Sequence, residues 1–388
     1  MKEVVMIDAA RTPIGKYRGS LSPFTAVELG TLVTKGLLDK TKLKKDKIDQ
    51  VIFGNVLQAG NGQNVARQIA LNSGLPVDVP AMTINEVCGS GMKAVILARQ
   101  LIQLGEAELV IAGGTESMSQ APMLKQYQSE TNEYGEPISS MVNDGLTDAF
   151  SNAHMGLTAE KVATQFSVSR EEQDRYALSS QLKAAHAVEA GVFSEEIIPV
   201  KISDEDVLSE DEAVRGNSTL EKLGTLRTVF SEEGTVTAGN ASPINDGSCV
   251  LLMMSAEKAK ALGYKPIAKY VAATSTALSP SIMGYAPVSA IEKLEKKTGI
   301  SRYDVGLYEL NEAFAAQAAA CVQDLKLDPE IVNVNGGAVA LGHAVGCTGA
   351  RISLTLMREM QRRKVQYGVA SLCIGGGQAM AMMFELCE

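Results

Sequence analysis

The sequence predicts an α/β fold built from a duplicated unit, and three observations indicate it. The run VPAMTINEVCGSGMKAVILARQLIQLGEAELVIAGG has the order strand, glycine-rich turn, helix, strand. The run IVNVNGGAVALGHAVGCTGARISLTLMREMQRRKVQYGVASLCIGGG repeats that order near the C-terminus. A strand-like segment ending at Asn55 precedes the first run, and one ending at Asn311 precedes the second. A recurring supersecondary unit is typical of internal duplication.

The chain is long enough for two to three domains, since it has 388 residues, of which 45% are hydrophobic and 21% charged. We expect an N-terminal half at residues 1–118, completed by about 240–270, and a C-terminal half at 271–388. Residues 119–239 are richer in polar side chains and are predicted to form an inserted, more exposed region with helices such as 170–191.

The helix after each glycine-rich turn is predicted at residues 89–104 and 348–363. Each carries apolar residues on most of its faces, whereas a surface helix has one apolar stripe. We therefore expect both helices to lie between sheets.

Composition excludes several classes of protein. The net charge of -9 disfavours nucleic-acid binding, because the one Lys-rich stretch, 40–47, is interrupted by acid. The six cysteines lack the spacing of a zinc site or a disulfide framework, which predicts reduced thiols, no metal and a cytoplasmic location. Asp8 ends the first apolar run and the longest run elsewhere is 249–254, so we expect neither a signal peptide nor a membrane anchor.

Cys88 is the first candidate for catalysis. It lies in NEVCGSGMKA, just before a predicted helix, where the helix dipole and free amides favour a thiolate. Gly89 and Gly91 would let a substrate carbonyl approach the sulfur. The alternative is a buried, inert cysteine beside packing glycines.

The sequence has three histidines, so each can be considered separately. His186 lies in a polar helix and is predicted to be a surface residue. His343 lies in the turn that corresponds to the Cys88 turn in the second unit. Turns related by duplication should face each other, which predicts an imidazole beside the thiol, as in acyl transfer. The alternative is a structural histidine.

Two further candidate residues lie at the ends of predicted strands. Cys373 precedes three glycines in SLCIGGGQAM, where its thiol could act as acid or base and exposed backbone amides after Gly375 could receive an oxyanion. The alternative is a cysteine of a core strand. Asn311 in LNEAFAA, at a predicted strand end, offers an uncharged donor for a water or a substrate oxygen, and the alternative is a cap. The glycine-rich loops do not fit a dinucleotide fingerprint, and a Rossmann site is disfavoured.

Taken together, five motifs resemble those of the thiolases, specifically the biosynthetic acetoacetyl-CoA thiolases. In chain order they are NEVCGSGMKA, GNASPINDG (glycine usual where Pro243 stands), NEAFA, NGGAVALGHAVGCTGAR and CIGGGQA. The resemblance implies two similar αβαβα halves, an inserted loop domain that binds coenzyme A, and a homotetramer. It implies acetyl-CoA, acetoacetyl-CoA and CoA as substrates and products, with no separate cofactor.

The resemblance also implies roles for the candidates. Cys88 would take the acetyl group as a thioester, and His343 would activate it and contribute to an oxyanion site. Cys373 would remove a proton from the methyl group of the second acetyl-CoA, while Asn311 would hold a water. The amides of Cys88 and Gly375 would form a second oxyanion hole. A Claisen condensation needs such an acylated sulfur, a base and two oxyanion sites.

Residues that the resemblance assigns to coenzyme A binding lie in the insert and in the later motifs. They are Leu146, His154, Met155, Arg215, Phe230, Ser242, Met283, Ala313 and Phe314. For His154 the alternative is a helix cap. Two further departures from the family pattern are Ala344, where proline is usual, and Thr348, where serine is common. A proline would stiffen the turn that carries the histidine.

Three other functions are alternatives to a biosynthetic thiolase. A degradative 3-ketoacyl-CoA thiolase is the nearest alternative, although Gly89 followed by Ser90 favours the biosynthetic class. A silent thiolase-like protein that only binds acyl-CoA is disfavoured because all the reacting residue types are retained. A ketoacyl synthase is disfavoured because Cys373 stands where that class has a second histidine.

Overall fold

The computed structural model describes residues 2–387, and most of its regular structure belongs to one large sheet and the helices around it. The strands are β1 (Val4–Arg11), β2 (Gly15–Lys16), β3 (Gln50–Gly54), β4 (Ala81–Ile84), β5 (Leu109–Ser117), β6 (Met123–Leu124), β7 (Tyr127–Gln128), β8 (Glu133–Tyr134), β9 (Ile138–Ser139), β10 (Val200–Lys201), β11 (Val207–Leu208), β12 (Asn245–Ser255), β13 (Ala268–Ala277), β14 (Leu307–Leu310), β15 (Tyr367–Ile374) and β16 (Gln378–Leu386). The α-helices are α1 (Ala26–Thr41), α2 (Val65–Asn72), α3 (Ser90–Leu104), α4 (Met155–Gln165), α5 (Arg170–Glu189), α6 (Leu220–Gly224), α7 (Ala256–Leu262), α8 (Pro287–Thr298), α9 (Ala315–Leu325), α10 (Ala338–Leu341) and α11 (Val345–Arg363).

The sheet shows the duplication directly. Its order is β14-β15-β16-β13-β1-β12-β5-β3-β4, with β2 paired to β12. In the N-terminal half β4, β3 and β5 are parallel, and β12 and β1 continue antiparallel. In the C-terminal half β14 and β15 are parallel, and β16 and β13 continue antiparallel. The halves join where Val5 and Met6 of β1 pair with Lys269 and Ala268 of β13. The predicted duplicated α/β fold is confirmed.

The central layer consists of α3 and α11. The two helices contact each other, and α11 contacts strands of both halves, including β5 and β15. One apolar cluster contains Val110 and Leu307 from the two halves together with Met92 and Leu356 from the helices. Helices α1 and α2 cover the outer face of the N-terminal half, and α8 and α9 cover that of the other half. Five layers result, and both predicted helices lie between the two halves of the sheet.

Two local predictions were wrong. The second central helix begins at Val345, three residues before the predicted start at 348. The predicted strand around 331–335 is reduced to a single bridge between Tyr308 and Val332. The side chain of Asn333 replaces the next ladder bonds, because its Oδ1 accepts from the amide of Leu310 and its Nδ2 donates to the carbonyl of Leu310, both at 2.8 Å.

The insert lies between β5 and β12 and contains α4, α5 and α6 together with short hairpins. A capping box at Ser169 and Glu172 starts α5. The chain returns to the sheet through Asn240, whose carbonyl accepts from Ala315 at 2.8 Å and whose Nδ2 donates to Asp174 at 2.9 Å. This return segment therefore ties the insert to the start of α9. The exact division at 118/119 and 239/240 stays a prediction.

None of the helices within residues 2–387 combines the length and apolar character that crossing a membrane requires.

Candidate active site

A strained turn presents Cys88. The preceding residue, Val87, has a φ of 47°, a left-handed conformation that is costly for a β-branched side chain and typical of functional sites. Ser90 holds the turn, since its Oγ donates to the carbonyl of Val87 at 2.7 Å and accepts from the amide of Glu86 at 2.8 Å. This role of Ser90 was not predicted, although a serine at the start of a helix is a recognisable capping signal.

The thiol of Cys88 is protonated in the free protein. Burial is the largest influence and raises the pKa of Cys88 to about 11, while the amides of Gly375 and of Cys88 itself lower it. The helix dipole and amides therefore do not produce the resting thiolate that the sequence predicted. Desolvation prevails because the cysteine is only 8% exposed. A base must take the proton during the reaction.

Gly89 and Gly91 serve packing. A Cβ on Gly89 would lie 2.4 Å from Cδ1 of Ile374, and one on Gly91 would lie 2.9 Å from the amide nitrogen of Ala350 on α11. The space beside both glycines is occupied by the protein itself. For these two glycines the structure therefore supports the packing alternative and not the predicted role in substrate access.

His343 has the tautomer of a base. Its Nδ1 lies 2.7 Å from Oγ1 of Thr348, and that hydroxyl donates to the carbonyl of Ala344 at 2.9 Å. Because the hydroxyl proton is used there, Oγ1 accepts from Nδ1–H and leaves Nε2 unprotonated. Burial, followed by the charge of Arg351, lowers the pKa of His343 to about 4, so the ring is neutral near pH 7. Thr348 therefore replaces the usual serine without loss of this contact.

Ala344→Pro is expected to stabilise the protein by about 0.4 to 1 kcal/mol. Ala344 has a φ of -72°, within the range of a proline ring, and none of the hydrogen bonds found in residues 2–387 is donated by its amide. Thermal unfolding and kcat would be measured together. Ala344→Gly is the control and should lower stability, since it adds freedom to the unfolded chain. A lower melting temperature together with a lower kcat in the proline variant would contradict the expectation.

Cys373 and Asn311 lie deeper than the other candidates. Cys373 is fully buried near the end of β15, and burial, with Cys88 nearby, holds its pKa well above the ordinary value. Asn311 is 1% exposed, and its Oδ1 and Nδ2 both lack a hydrogen-bond partner within residues 2–387. A buried amide without partners requires a small polar molecule. This fits the predicted water.

A cavity of about 460 Å³ brings most of the candidates together. Cys88, His343 and Gly375 line it, and so do all nine residues assigned to coenzyme A: Leu146, His154, Met155, Arg215, Phe230, Ser242, Met283, Ala313 and Phe314. Cys373 and Asn311 are not among its lining residues. Several apolar lining residues were not predicted, because nothing in the sequence distinguishes them from core positions; they include Met118, Val229, Ile244 and Val345.

Aromatic rings form one wall of the cavity. The ring of His154 stacks on Phe230 with centroids 4.7 Å apart, and Phe230 meets Phe314 edge to face at 6.1 Å. A Cβ on Gly156 would lie 2.2 Å from the Phe230 ring, so this position must remain glycine. His154 also caps α4, because its Nδ1 accepts from the amide of Gly156 at 3.1 Å. Both interpretations of this histidine are therefore compatible with its geometry.

The return segment of the insert closes the cavity from another side. The amide of Ser242 donates to the carbonyl of Ala313 at 3.0 Å, and Asn245 Oδ1 accepts from the amide of His343 at 2.9 Å.

Arg215 is exposed at the cavity edge. His186 is exposed on α5, as predicted.

Alkylation of Cys88 by iodoacetamide is expected to accelerate continuously between about pH 7 and about pH 10, because the reactive thiolate becomes more populated up to the raised pKa of about 11. Peptide mass spectrometry would follow the modified residue. N-acetylcysteine, whose thiol has an ordinary pKa of about 8.5, provides the reference curve. A plateau below about pH 8 would instead indicate a resting thiolate.

Comparison with known proteins assigns the class. Residues 4–257 match the family described as thiolase, N-terminal domain, and residues 264–386 match thiolase, C-terminal domain. The chain belongs to the thiolase family.

Several known proteins are similar to this chain over nearly the whole length of both. An acetyl-CoA acetyltransferase of Allochromatium vinosum is 50% identical, with 99% of each chain covered. A probable acetyl-CoA acyltransferase of Staphylococcus aureus is 49% identical, with 98% of each covered. The crystal structure of the Bacillus anthracis acetyl-CoA acetyltransferase superposes with a TM-score of 0.96 at 43% identity, covering 100% of this chain and 99% of that one.

Proposed function

We propose that this chain is an acyltransferase that condenses two acetyl-CoA molecules into acetoacetyl-CoA and CoA, reversibly, through an acetyl group on Cys88. The observation that carries the proposal is the cavity shared by Cys88, His343 and Gly375. The names of the similar proteins from Allochromatium vinosum and Bacillus anthracis support the choice of acetyl-CoA.

The first half-reaction uses the neutral pair of Cys88 and His343. Nε2 takes the thiol proton as the sulfur attacks the thioester carbon, and the negative charge moves to the carbonyl oxygen. The amides of Cys88 and Gly375, which already influence the sulfur, donate to that oxygen. The intermediate collapses, CoA leaves with the proton from His343, and the acetyl group stays on Cys88.

The second half-reaction forms a carbon–carbon bond. The Cys373 thiol first gives its proton to the neutral His343, and the resulting thiolate, a strong base because its pKa is raised, removes a proton from the methyl group of the second acetyl-CoA. A water held by Asn311, together with His343, stabilises the enolate oxygen. The enolate carbon attacks the acetyl carbon, and the Cys88 sulfur leaves and takes the proton from His343, which becomes neutral again.

Coenzyme A thioesters are the only small molecules that this scheme needs, so we propose no separate cofactor. The apolar and aromatic wall around Phe230 suits the pantetheine arm, and Arg215 at the edge suits a phosphate. We also propose a cytoplasmic location, supported by the six free cysteines of the described chain.

We propose a homotetramer as the assembly. Strand β4 is at the edge of the sheet, with Met82 exposed, and an exposed hairpin carries Tyr127 and Tyr134. Unpaired edges and exposed aromatic residues are typical of surfaces that pair with another chain. Light scattering after size exclusion should give four times the chain mass.

Two assays test the function. Incubation with acetyl-CoA followed by peptide mass spectrometry should find an acetyl adduct on Cys88. Thiolysis of acetoacetyl-CoA should be faster than that of a 3-ketoacyl-CoA with a long chain. Faster cleavage of the long chain would favour the degradative alternative, and an absence of turnover with bound acyl-CoA would favour the silent one.

A further inference from the structure

A buried carboxylate joins the two halves beside the candidate site. Glu116 is fully buried near the end of β5. Its Oε1 accepts from Nδ2 of Asn55 at 2.8 Å and from the amide of Leu57 at 3.0 Å. Its Oε2 accepts from the amide of Val56 at 3.0 Å and from that of Gly346 at 2.9 Å. Four N–H donors surround one carboxylate.

The contact with Gly346 is very close. Gly346 lies in the first turn of α11, three residues after His343. A Cβ there would lie 2.6 Å from Oε2 of Glu116 and 2.9 Å from the carbonyl oxygen of Thr115. A Cβ on Gly114 would lie 2.0 Å from the carbonyl oxygen of Gly346. The end of β5 thus fixes where α11 begins.

The strand register shows what Glu116 corresponds to in the other half. The last residue of β3 pairs with Gly114 of β5, and the last residue of β14 pairs with Ser371 of β15. Two residues beyond these positions lie Glu116 and Cys373. By the duplication, Glu116 is the counterpart of the candidate base.

The remaining members of the two clusters correspond as well. Asn55 follows β3 as Asn311 follows β14, and Cys88 precedes the cap of α3 as His343 precedes that of α11. In one cluster Asn55 and the amide of Gly346, next to His343, both donate to the Glu116 carboxylate. In the other, Cys373 lies near Cys88, and the side chain of Asn311 has no hydrogen-bond partner within residues 2–387.

We propose that Glu116 is a positioning residue that holds the start of α11, and with it the His343 ring, in the geometry needed to activate Cys88. This proposal rests on the proposed function, because that function is what makes His343 the base for Cys88.

Burial raises the pKa of Glu116 to about 7, while the amides of Val56, Leu57 and Gly346 oppose that shift. The ionised carboxylate suits four N–H donors because it only accepts, whereas an amide would turn an NH₂ group towards some of them. The partners are separated by 230 residues along the chain, so the contact ties together parts that no local structure joins.

A double-mutant cycle tests the proposal. The variants are Glu116→Gln, His343→Ala and their combination, with kcat, KM and the rate of Cys88 alkylation as readouts. We expect Glu116→Gln to lower kcat and alkylation by about 10- to 100-fold, as small misplacements of catalytic groups do, with KM changed by about 3-fold at most. Besides burial, the Glu116 charge raises the pKa of Cys88, so its loss alone would speed alkylation, and slower alkylation therefore reports a displaced His343. In the His343→Ala background Glu116→Gln should have almost no further effect, because the same contribution is already lost.

Glu359→Gln is the matched control. Glu359 is a buried carboxylate on the same helix, and it accepts from Asn335 at 2.9 Å and Arg363 at 2.6 Å, far from His343 along α11. Its loss should lower the melting temperature without changing kcat. Equal losses in kcat for both glutamate variants would overturn the proposal.

Gly346→Ala perturbs the same contact from the other side and replaces Glu116→Gln if that variant does not fold. It should lower kcat without a matching change in KM, and its effect should also vanish in the His343→Ala background. If the fold-losses in kcat of the single variants multiply when either Glu116→Gln or Gly346→Ala is combined with His343→Ala, the proposal is overturned. Alkylation needs no acyl-CoA, so a wild-type protein without thiolysis activity would count against the proposed function only.

Discussion

Cys88→Ala is expected to abolish acetyl incorporation and turnover in both directions. The reason is that Cys88 and His343, the proposed nucleophile and its base, both line the cavity. Loss of a nucleophile removes the covalent route entirely and is not compensated by the remaining groups. Intact mass after incubation with acetyl-CoA, together with condensation and thiolysis rates, would measure this.

Cys321→Ala is the matched control for that variant. Cys321 is another fully buried cysteine, in the apolar cluster of the C-terminal half, with its sulfur 3.6 Å from the carbonyl of Gly284. It should retain acetyl incorporation and turnover. An acetyl adduct on Cys373 with normal turnover in Cys88→Ala would show that the roles of the two cysteines are assigned wrongly.

The duplicated fold could be predicted because its signals are local. Glycine-rich turns between an apolar strand and an apolar helix occur twice in the same order, and the sheet repeats the same strand directions. The same local signals singled out Cys88 and His343, which lie just before α3 and α11. Their chemical roles stay predictions.

Protonation states could not be predicted from the sequence. A helix start next to Cys88 suggested a thiolate, but the sign of the pKa shift depends on how completely the fold excludes water there. Residues that bury this turn, such as Ile374 and Met380, come from the other half of the chain. The neutral state of His343 has the same origin, because burial is its largest influence.

Residues that support the site were missed for a related reason. Thr348 was noted only as a departure from the family, although it fixes the tautomer of His343. Glu116 lies in an apolar strand and gives no pattern that points to Gly346. Such roles depend on contacts between distant segments, whereas periodicity and turn signals describe near neighbours.

Cys373→Ala is expected to separate the two half-reactions. The variant should still acquire an acetyl group on Cys88, because that step uses His343 and the amides of Cys88 and Gly375. Condensation should fall by about 10² to 10⁴, the range for a missing general base. Peptide mass spectrometry and condensation kinetics would measure the two steps independently.

Proton removal can be observed without carbon–carbon bond formation. In deuterated water the wild-type protein should exchange the methyl protons of acetyl-CoA, since its base returns a solvent deuteron to the enolate. Cys373→Ala should lose this exchange while it keeps Cys88 acetylation, and Cys321→Ala should keep both. The exchange is expected to depend on Cys373 because it packs in one cluster with Ala313 and Phe314, which line the cavity proposed to hold acetyl-CoA. Equal losses of acetylation and exchange in Cys373→Ala would mean that the two cysteines act as one unit and do not have separate roles.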